Sequence, residues 1–219
     1  MKFPFLASFI LFCVFFNIFI RRSTRKEEAR EENFWERERA SNGVRKKSLD
    51  NLEYVHIPYD LLPFNTCGSN NTLKECEDTL LALKNAKIVN FTGITNTDLK
   101  LEYGTANITV LTEYDQNYTQ MVVALQKWGQ ELYNLGRFED AAAVLEFSVK
   151  TRSDISGTYR LLTDMYKTKL GLTESEISHK LEALLPIAKS LNSLSKSQII
   201  SLIESNLSQN DMDNNRKEA

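Results

Sequence analysis

An apolar run near the amino terminus is the strongest constraint on how this chain can fold. From Phe3 to Ile20 only Ser8 and Asn17 are polar, and a basic segment begins at Arg21. At about 1.5 Å per residue, a helix of this length reaches about 27 Å, close to the roughly 30 Å hydrocarbon core of a bilayer. We therefore expect residues 1–20 to form a single transmembrane helix that contacts the lipid bilayer through residues 3–20.

A cleaved signal peptide is the alternative for this segment. Signal peptides combine an apolar core of about 7–15 residues with a cleavage site of small residues. The apolar run is longer than that, and Phe19, Ile20, Arg21 and Arg22 at its end are all large. These features favour an uncleaved signal-anchor helix.

The basic residues on either side of the run predict its orientation. Residues 21–26 contain four Lys/Arg, whereas only Lys2 precedes the run. Because basic flanks stay in the cytoplasm, the sequence predicts a single-pass membrane protein with a cytoplasmic soluble domain. The opposite orientation, that of an extracytoplasmic membrane-anchored accessory protein of translocation or envelope assembly, stays open as the alternative.

Charge divides the rest of the chain. Residues 21–47 carry ten Lys/Arg and six Glu, and residues 48–219 carry sixteen Lys/Arg and twenty-three Asp/Glu. Residues 21–49 are predicted to form a charged juxtamembrane stalk, because Glu and Arg recur at i,i+3 and i,i+4 spacings in a helix that ends near Asn42. The acidic remainder shows no basic patch, which argues against nucleic acid as a partner.

Residues 50–117 predict an extended segment followed by short helices. Pro58 and Pro63 rule out a continuous helix at its start. A helical apolar period begins at Asn71, and Asn107–Asn117 predicts a further short helix.

The segment Thr92–Gly104 is rich in Thr, Asn and Asp, which favour turns and helix starts. We expect Thr97 to cap a short helix over Asp98–Tyr103, with Gly104 ending it. The alternative is a ligand or catalytic loop that uses Asp98 or Glu102.

Tyr118–Leu207 carries the strongest helical pattern. Its first part predicts two helices separated by a turn, with small residues that allow close packing. The residues that define this pair are Tyr118, Met121, Val122, Leu125, Trp128, Gly129, Leu132, Gly136, Phe138, Ala141, Ala142, Leu145, Ser148 and Val149.

This pattern resembles the tetratricopeptide repeat, a 34-residue helical hairpin. The small first-helix residue of that family matches Gly129, the turn glycine matches Gly136, and the small residue that opens the second helix matches Ala141. A second, more divergent repeat covers Ile155–Leu191, where Thr163 replaces the small residue. The resemblance implies a mainly α fold in which 118–207 form a TPR-like domain, followed by a disordered tail at 208–219.

Tetratricopeptide domains bind peptides or protein segments on the surface formed by their first helices. The resemblance therefore implies a membrane-tethered adaptor or scaffold for a protein or peptide partner at the cytoplasmic membrane face. Carried onto this chain, the partner-binding residues are Gln126, Gln130, Tyr133, Asn134, Arg160, Asp164 and Lys167.

Catalytic and metal-binding patterns are absent from the sequence. Cys67 and Cys76 lie nine residues apart with no paired histidines, and His56 and His179 are isolated. There is no phosphate-binding glycine loop and no nucleophile elbow. The sequence therefore predicts no enzyme, no metal and no cofactor.

Overall fold

The structure, a computed structural model, describes the backbone from Phe3 to Lys217 and the side chains from Ser8 to Gln209. This part of the chain is mainly helical. It contains a 3-10 turn at Thr105–Asn107 and the helices α1 (Phe3–Asn42), α2 (Asn71–Ala82), α3 (Asn96–Tyr103), α4 (Ile108–Asn134), α5 (Phe138–Lys150), α6 (Ser156–Thr168), α7 (Glu174–Ser190) and α8 (Lys196–Lys217).

The structure of α1 contradicts the predicted transmembrane anchor. None of the described helices combines the length and the apolar content needed to cross a membrane. Helix α1 does not end with the apolar run but continues past Ile20 through a charged segment to Asn42. The predictions of a transmembrane helix and of a single-pass membrane protein are therefore wrong.

The chain divides into two compact units. Unit 1 contains the residues up to Leu49 together with Thr95–Ile108, and unit 2 contains Asp50–Ile94 and the residues from Thr109 onward. The helical repeat pattern lies in unit 2.

Polar contacts hold the last turns of α1 against α3 in unit 1. Arg37 Nη2 lies 2.5 Å from Asp98 Oδ1, and Glu38 accepts hydrogen bonds from Thr97 and Lys100. Asn107, which is buried, donates to the carbonyls of Lys47 and Tyr103 at 2.8 and 2.7 Å. These contacts hold the chain after α1 beside the end of α3.

Helix α3 begins two residues earlier than predicted. Thr95, not Thr97, is its N-cap, and Asp98 completes a reciprocal capping box with Thr95. The Thr97 hydroxyl instead donates to Glu38 at 2.7 Å. The Thr-x-x-Asp spacing carries the capping signal, because the third residue of a helix can reach back to the N-cap backbone.

In unit 2 an extended segment precedes α2, as Pro58 and Pro63 predict. Glu77 on α2 is buried, and its carboxylate accepts hydrogen bonds from the backbone N–H groups of Asn65 and Thr66. Phe64 packs on Trp128 of α4 with ring centroids 4.9 Å apart. The extended segment and α2 therefore cover one side of α4.

Helix α4 is one continuous helix through Asn134, so the short helix predicted over Asn107–Asn117 is part of it. Gly129 lies within α4 against α5, since a Cβ there would lie 2.4 Å from Leu145 Cδ2. Gly136, with φ +75°, turns the chain between the two helices. A side chain would be strained at that φ.

The remaining helices complete the core of unit 2. Helix α5 packs against α6 and α7, and α8 packs against α6 and α7. Ile199 and Ile203 of α8 are fully buried in this core. The segment from Ser208 that we expected to be a disordered tail enters α8, which continues to Lys217, while Glu218 and Ala219 lie outside the described residues.

Candidate partner-binding face

Side chains from α4 and α6 meet across the two helices. The Tyr133 hydroxyl donates to Asp164 Oδ2 at 2.5 Å, and the Thr158 hydroxyl donates to Gln126 Oε1. Three of the predicted partner-binding residues, Gln126, Tyr133 and Asp164, therefore take part in contacts between these two helices.

A cleft of about 330 Å³ continues this surface from α6 to α8. Arg160, Asp164 and Lys167 line it from α6, and Leu202 and Asn206 line it from α8. Lys167 Nζ donates to Asn206 Oδ1 at 3.1 Å and to Gln209 Oε1 at 3.2 Å. We define the binding face as the side chains of α4, α6 and α8 that take part in these contacts or line this cleft.

Gln130 and Asn134 occupy a different position from the other five residues. Both are exposed near the end of α4, and the Gln130 amide donates to Asn134 Oδ1 at 3.1 Å. This is a bond between neighbouring turns of one helix. It does not connect α4 to α6, so these two residues extend the binding face without joining its helices.

The charges of the binding face are unevenly partnered. Arg160 is exposed, and the described residues give it no hydrogen bond or ion pair. Among the residues with described side chains, Lys167 is bonded only to the neutral side chains of Asn206 and Gln209. Asp164, by contrast, accepts from Tyr133 and from the Thr168 hydroxyl. The hydrogen bond to this carboxylate is the main cause that raises the pKa of Tyr133.

The contribution of α8 is the part of this face that sequence reasoning missed. The sequence predicts a helical domain up to Leu207, but none of the predicted partner-binding residues lies after Lys167. Leu202, Asn206 and Gln209 follow an i, i+4, i+7 spacing, which places them on one side of a helix. That spacing, together with the polar character of two of the three, is the signal available in the sequence.

The Thr92–Gly104 segment is the alternative candidate site, and the Asp98 carboxylate within it already accepts hydrogen bonds. Asp98 Oδ2 accepts hydrogen bonds from the Thr95 backbone and hydroxyl, while Oδ1 faces Arg37. The bonds from Thr95, followed by the contact with Arg37, lower the pKa of Asp98. The geometry therefore shows that Asp98 caps the start of α3.

A second cleft in unit 2, of about 380 Å³, lies beside the carboxyl ends of α5 and α7. Asn90 lines it and donates to Tyr118 Oη at 2.9 Å and to the Thr151 carbonyl at 3.2 Å. Lys150 and Arg152 lie at the end of α5, where positive charge offsets the partial negative charge of the helix carboxyl end. These residues all have a local structural explanation.

Among the described residues, no group of three or more His, Cys, Asp or Glu side chains is placed to hold a metal ion. Comparison with known proteins gives no further assignment. No family model, no curated protein and no solved structure matches this chain.

Proposed function

We propose that this chain is a helical adaptor that binds an extended segment of a partner protein on the binding face of α4, α6 and α8. One observation carries the proposal. Five of the seven residues that the repeat resemblance selects lie on one surface, which contacts between Tyr133 and Asp164 and between Lys167 and Asn206 join across three helices.

The burial pattern supports this choice of face. The sides of α4 and α6 that carry Trp128, Leu132, Tyr159 and Leu162 are fully buried in the core. The remaining side of these helices carries amides, a phenol and charged groups, which provide hydrogen bonds to a peptide backbone. Polar side chains on a rigid helical scaffold are the kind of surface that helical repeat proteins use for partners.

The same arrangement agrees with the tetratricopeptide resemblance. Gly129 permits the close approach of α4 to Leu145 of α5, and Gly136 turns the chain between them. In that family the first helix of each repeat lines the binding surface. On this resemblance α4 and α6 correspond to the first helices of the two proposed repeats, and α8 packs beside α6 as a third helix.

Site-specific photocrosslinking in the source cells tests the proposal. A photoreactive amino acid replaces Gln130 on the binding face in one variant and Lys189, exposed on α7, in a matched control. We expect a discrete crosslinked protein species from position 130, and loss of that species when Tyr133→Ala and Arg160→Glu are added. Equal crosslinking from both positions, or a species unaffected by the two substitutions in a folded variant, would contradict the proposed function.

A further inference from the structure

The binding face contains two cations that the described residues leave without a carboxylate partner. Arg160 is exposed and Lys167 is bonded to two neutral amides. The acidic group between them, Asp164, already accepts from Tyr133 and Thr168. The local balance is therefore positive, although residues 48–219 carry sixteen Lys/Arg against twenty-three Asp/Glu.

We infer that the partner segment is an acidic peptide with two carboxylate side chains that pair with Arg160 and Lys167. The inference rests on the proposed function, because it names the chemistry of the ligand on the same face. Complementary charges across an interface attract the matching partner and disfavour wrong ones.

The spacing of the two cations sets the spacing of the acids. Arg160 and Lys167 are seven residues apart on α6, which is about two helical turns and about 10 Å along the helix axis. A peptide in the extended polyproline II conformation rises about 3.1 Å per residue with three residues per turn, so two acids three positions apart lie on the same face and span about that distance. The structure therefore favours an acid-x-x-acid pattern.

The side chains that lie between Arg160 and Lys167 determine which peptide residues fit between the two acids of the ligand. Asp164 disfavours a third carboxylate directly opposite it, whereas a peptide N–H can donate to it. Leu202 provides the apolar part of the cleft lining. A ligand with an uncharged residue between its acids fits both features.

Selection from a displayed library of random 12-residue peptides tests the inference with the full chain as bait. We expect enrichment of Asp or Glu at two positions three apart. The double charge reversal Arg160→Glu with Lys167→Glu should lose these peptides by about tenfold or more in affinity and select Lys or Arg in their place. The matched control, Lys74→Glu with Lys189→Glu, makes the same change in net charge at exposed positions on α2 and α7 and should select the original acidic peptides.

Salt provides a second measurement on a selected peptide. Raising the ionic strength from about 0.1 M to about 1 M shortens the screening length from about 10 Å to about 3 Å, so the affinity should fall. Selected peptides that lose binding to Tyr133→Ala but show no acidic pattern would overturn the ligand class and leave the proposed function standing. If no selected peptide loses affinity when Tyr133, Arg160 or Lys167 is substituted, both the ligand class and the proposed function are wrong.

Discussion

The fold clearly changes the pKa of Cys76, and the change lies within the pH range of ordinary measurements. It lies on α2 with its side chain buried. Burial, the largest cause, raises the pKa of its thiol from 9.0 to about 11. The native state therefore favours the protonated thiol, while the unfolded chain ionises near the ordinary value.

This difference predicts a loss of stability at alkaline pH. Between about pH 9 and pH 11 the unfolded state binds fewer protons than the native state, so the free energy of unfolding decreases as pH rises. A shift of this size corresponds to at most about 3 kcal/mol. Urea unfolding of the wild type and of Cys76→Ala at pH 8 and pH 10.5 measures it, and the decrease should be smaller in the variant.

Thiol labelling provides the control for this prediction. Cys13 is exposed and Cys67 is half-buried, so both should react with iodoacetamide at pH 8 before Cys76 does. Cys76 should react only on addition of denaturant. Rapid labelling of Cys76 in the native protein, or an equal alkaline loss in the alanine variant, would contradict the assigned burial.

At the residue scale, sequence reasoning selects helix faces but does not identify contacts. The resemblance to the tetratricopeptide repeat selects Tyr133 and Asp164 as exposed positions of the first helix in each repeat. The bond between them joins residues 31 positions apart. No local pattern encodes that pairing, because it depends on how α6 packs beside α4.

At the scale of the element, a substitution can test how closely α4 packs against α5. A Cβ at Gly129 would lie 2.4 Å from Leu145 Cδ2 and 2.5 Å from its Cγ. Leu145 is fully buried, so its displacement disturbs the core. We expect Gly129→Ala to lower the free energy of unfolding by about 1–2 kcal/mol, because overpacking outweighs the gain in helix propensity.

Gly157 in the first turn of α6 is a matched control. A Cβ there meets the end of the Gln126 side chain at 3.1 Å, and no backbone atom lies nearer. We expect Gly157→Ala to change the free energy of unfolding by no more than about 0.5 kcal/mol, since a flexible side-chain end can adjust. Thermal and urea unfolding of the two variants measure the contrast. Equal stability of both would show that α4 and α5 do not approach closely at Gly129.

Element boundaries follow from sequence where one local signal dominates. The proline pair before α2 predicts extended chain, and Gly136 predicts the turn before α5. The start of α3 was misplaced because Thr95 and Thr97 both precede a polar helix, and only the reach of Asp98 back to Thr95 decides between them. Helix α4 was predicted as two pieces because its polar stretch around Asn117 resembles a boundary, although it contains no proline.

At the scale of the whole molecule, hydrophobicity alone misled the interpretation of α1. The apolar run is only the first part of α1, because the same helix continues past Ile20 through charged residues to Asn42. Helix length and apolar length are therefore different quantities in this chain. The packing of unit 2, in contrast, follows the apolar period closely, and its buried residues include most of the stripe from Tyr118 to Val149.

Helix α8 contributes to both the core and the binding face of unit 2, and truncating the chain before it tests its contribution to stability. Ile199 and Ile203 are fully buried, and Asn206 holds Lys167 on the binding face. Fully burying an isoleucine side chain contributes about 1.5–3 kcal/mol, so deletion of residues 195–219 should lower the free energy of unfolding by about 3 kcal/mol or more.

Two comparisons make this prediction specific to the buried side of α8. Deletion of residues 210–219 should leave the unfolding midpoint in urea nearly unchanged, because it retains both isoleucines. The double substitution Ile199→Ala with Ile203→Ala should reproduce the loss of the longer deletion, whereas Ser201→Ala with Glu204→Ala, at exposed positions of the same helix, should not. If the isoleucine variant is as stable as wild type, α8 does not complete the core, and its contribution to the binding face must then be tested separately through Asn206→Ala.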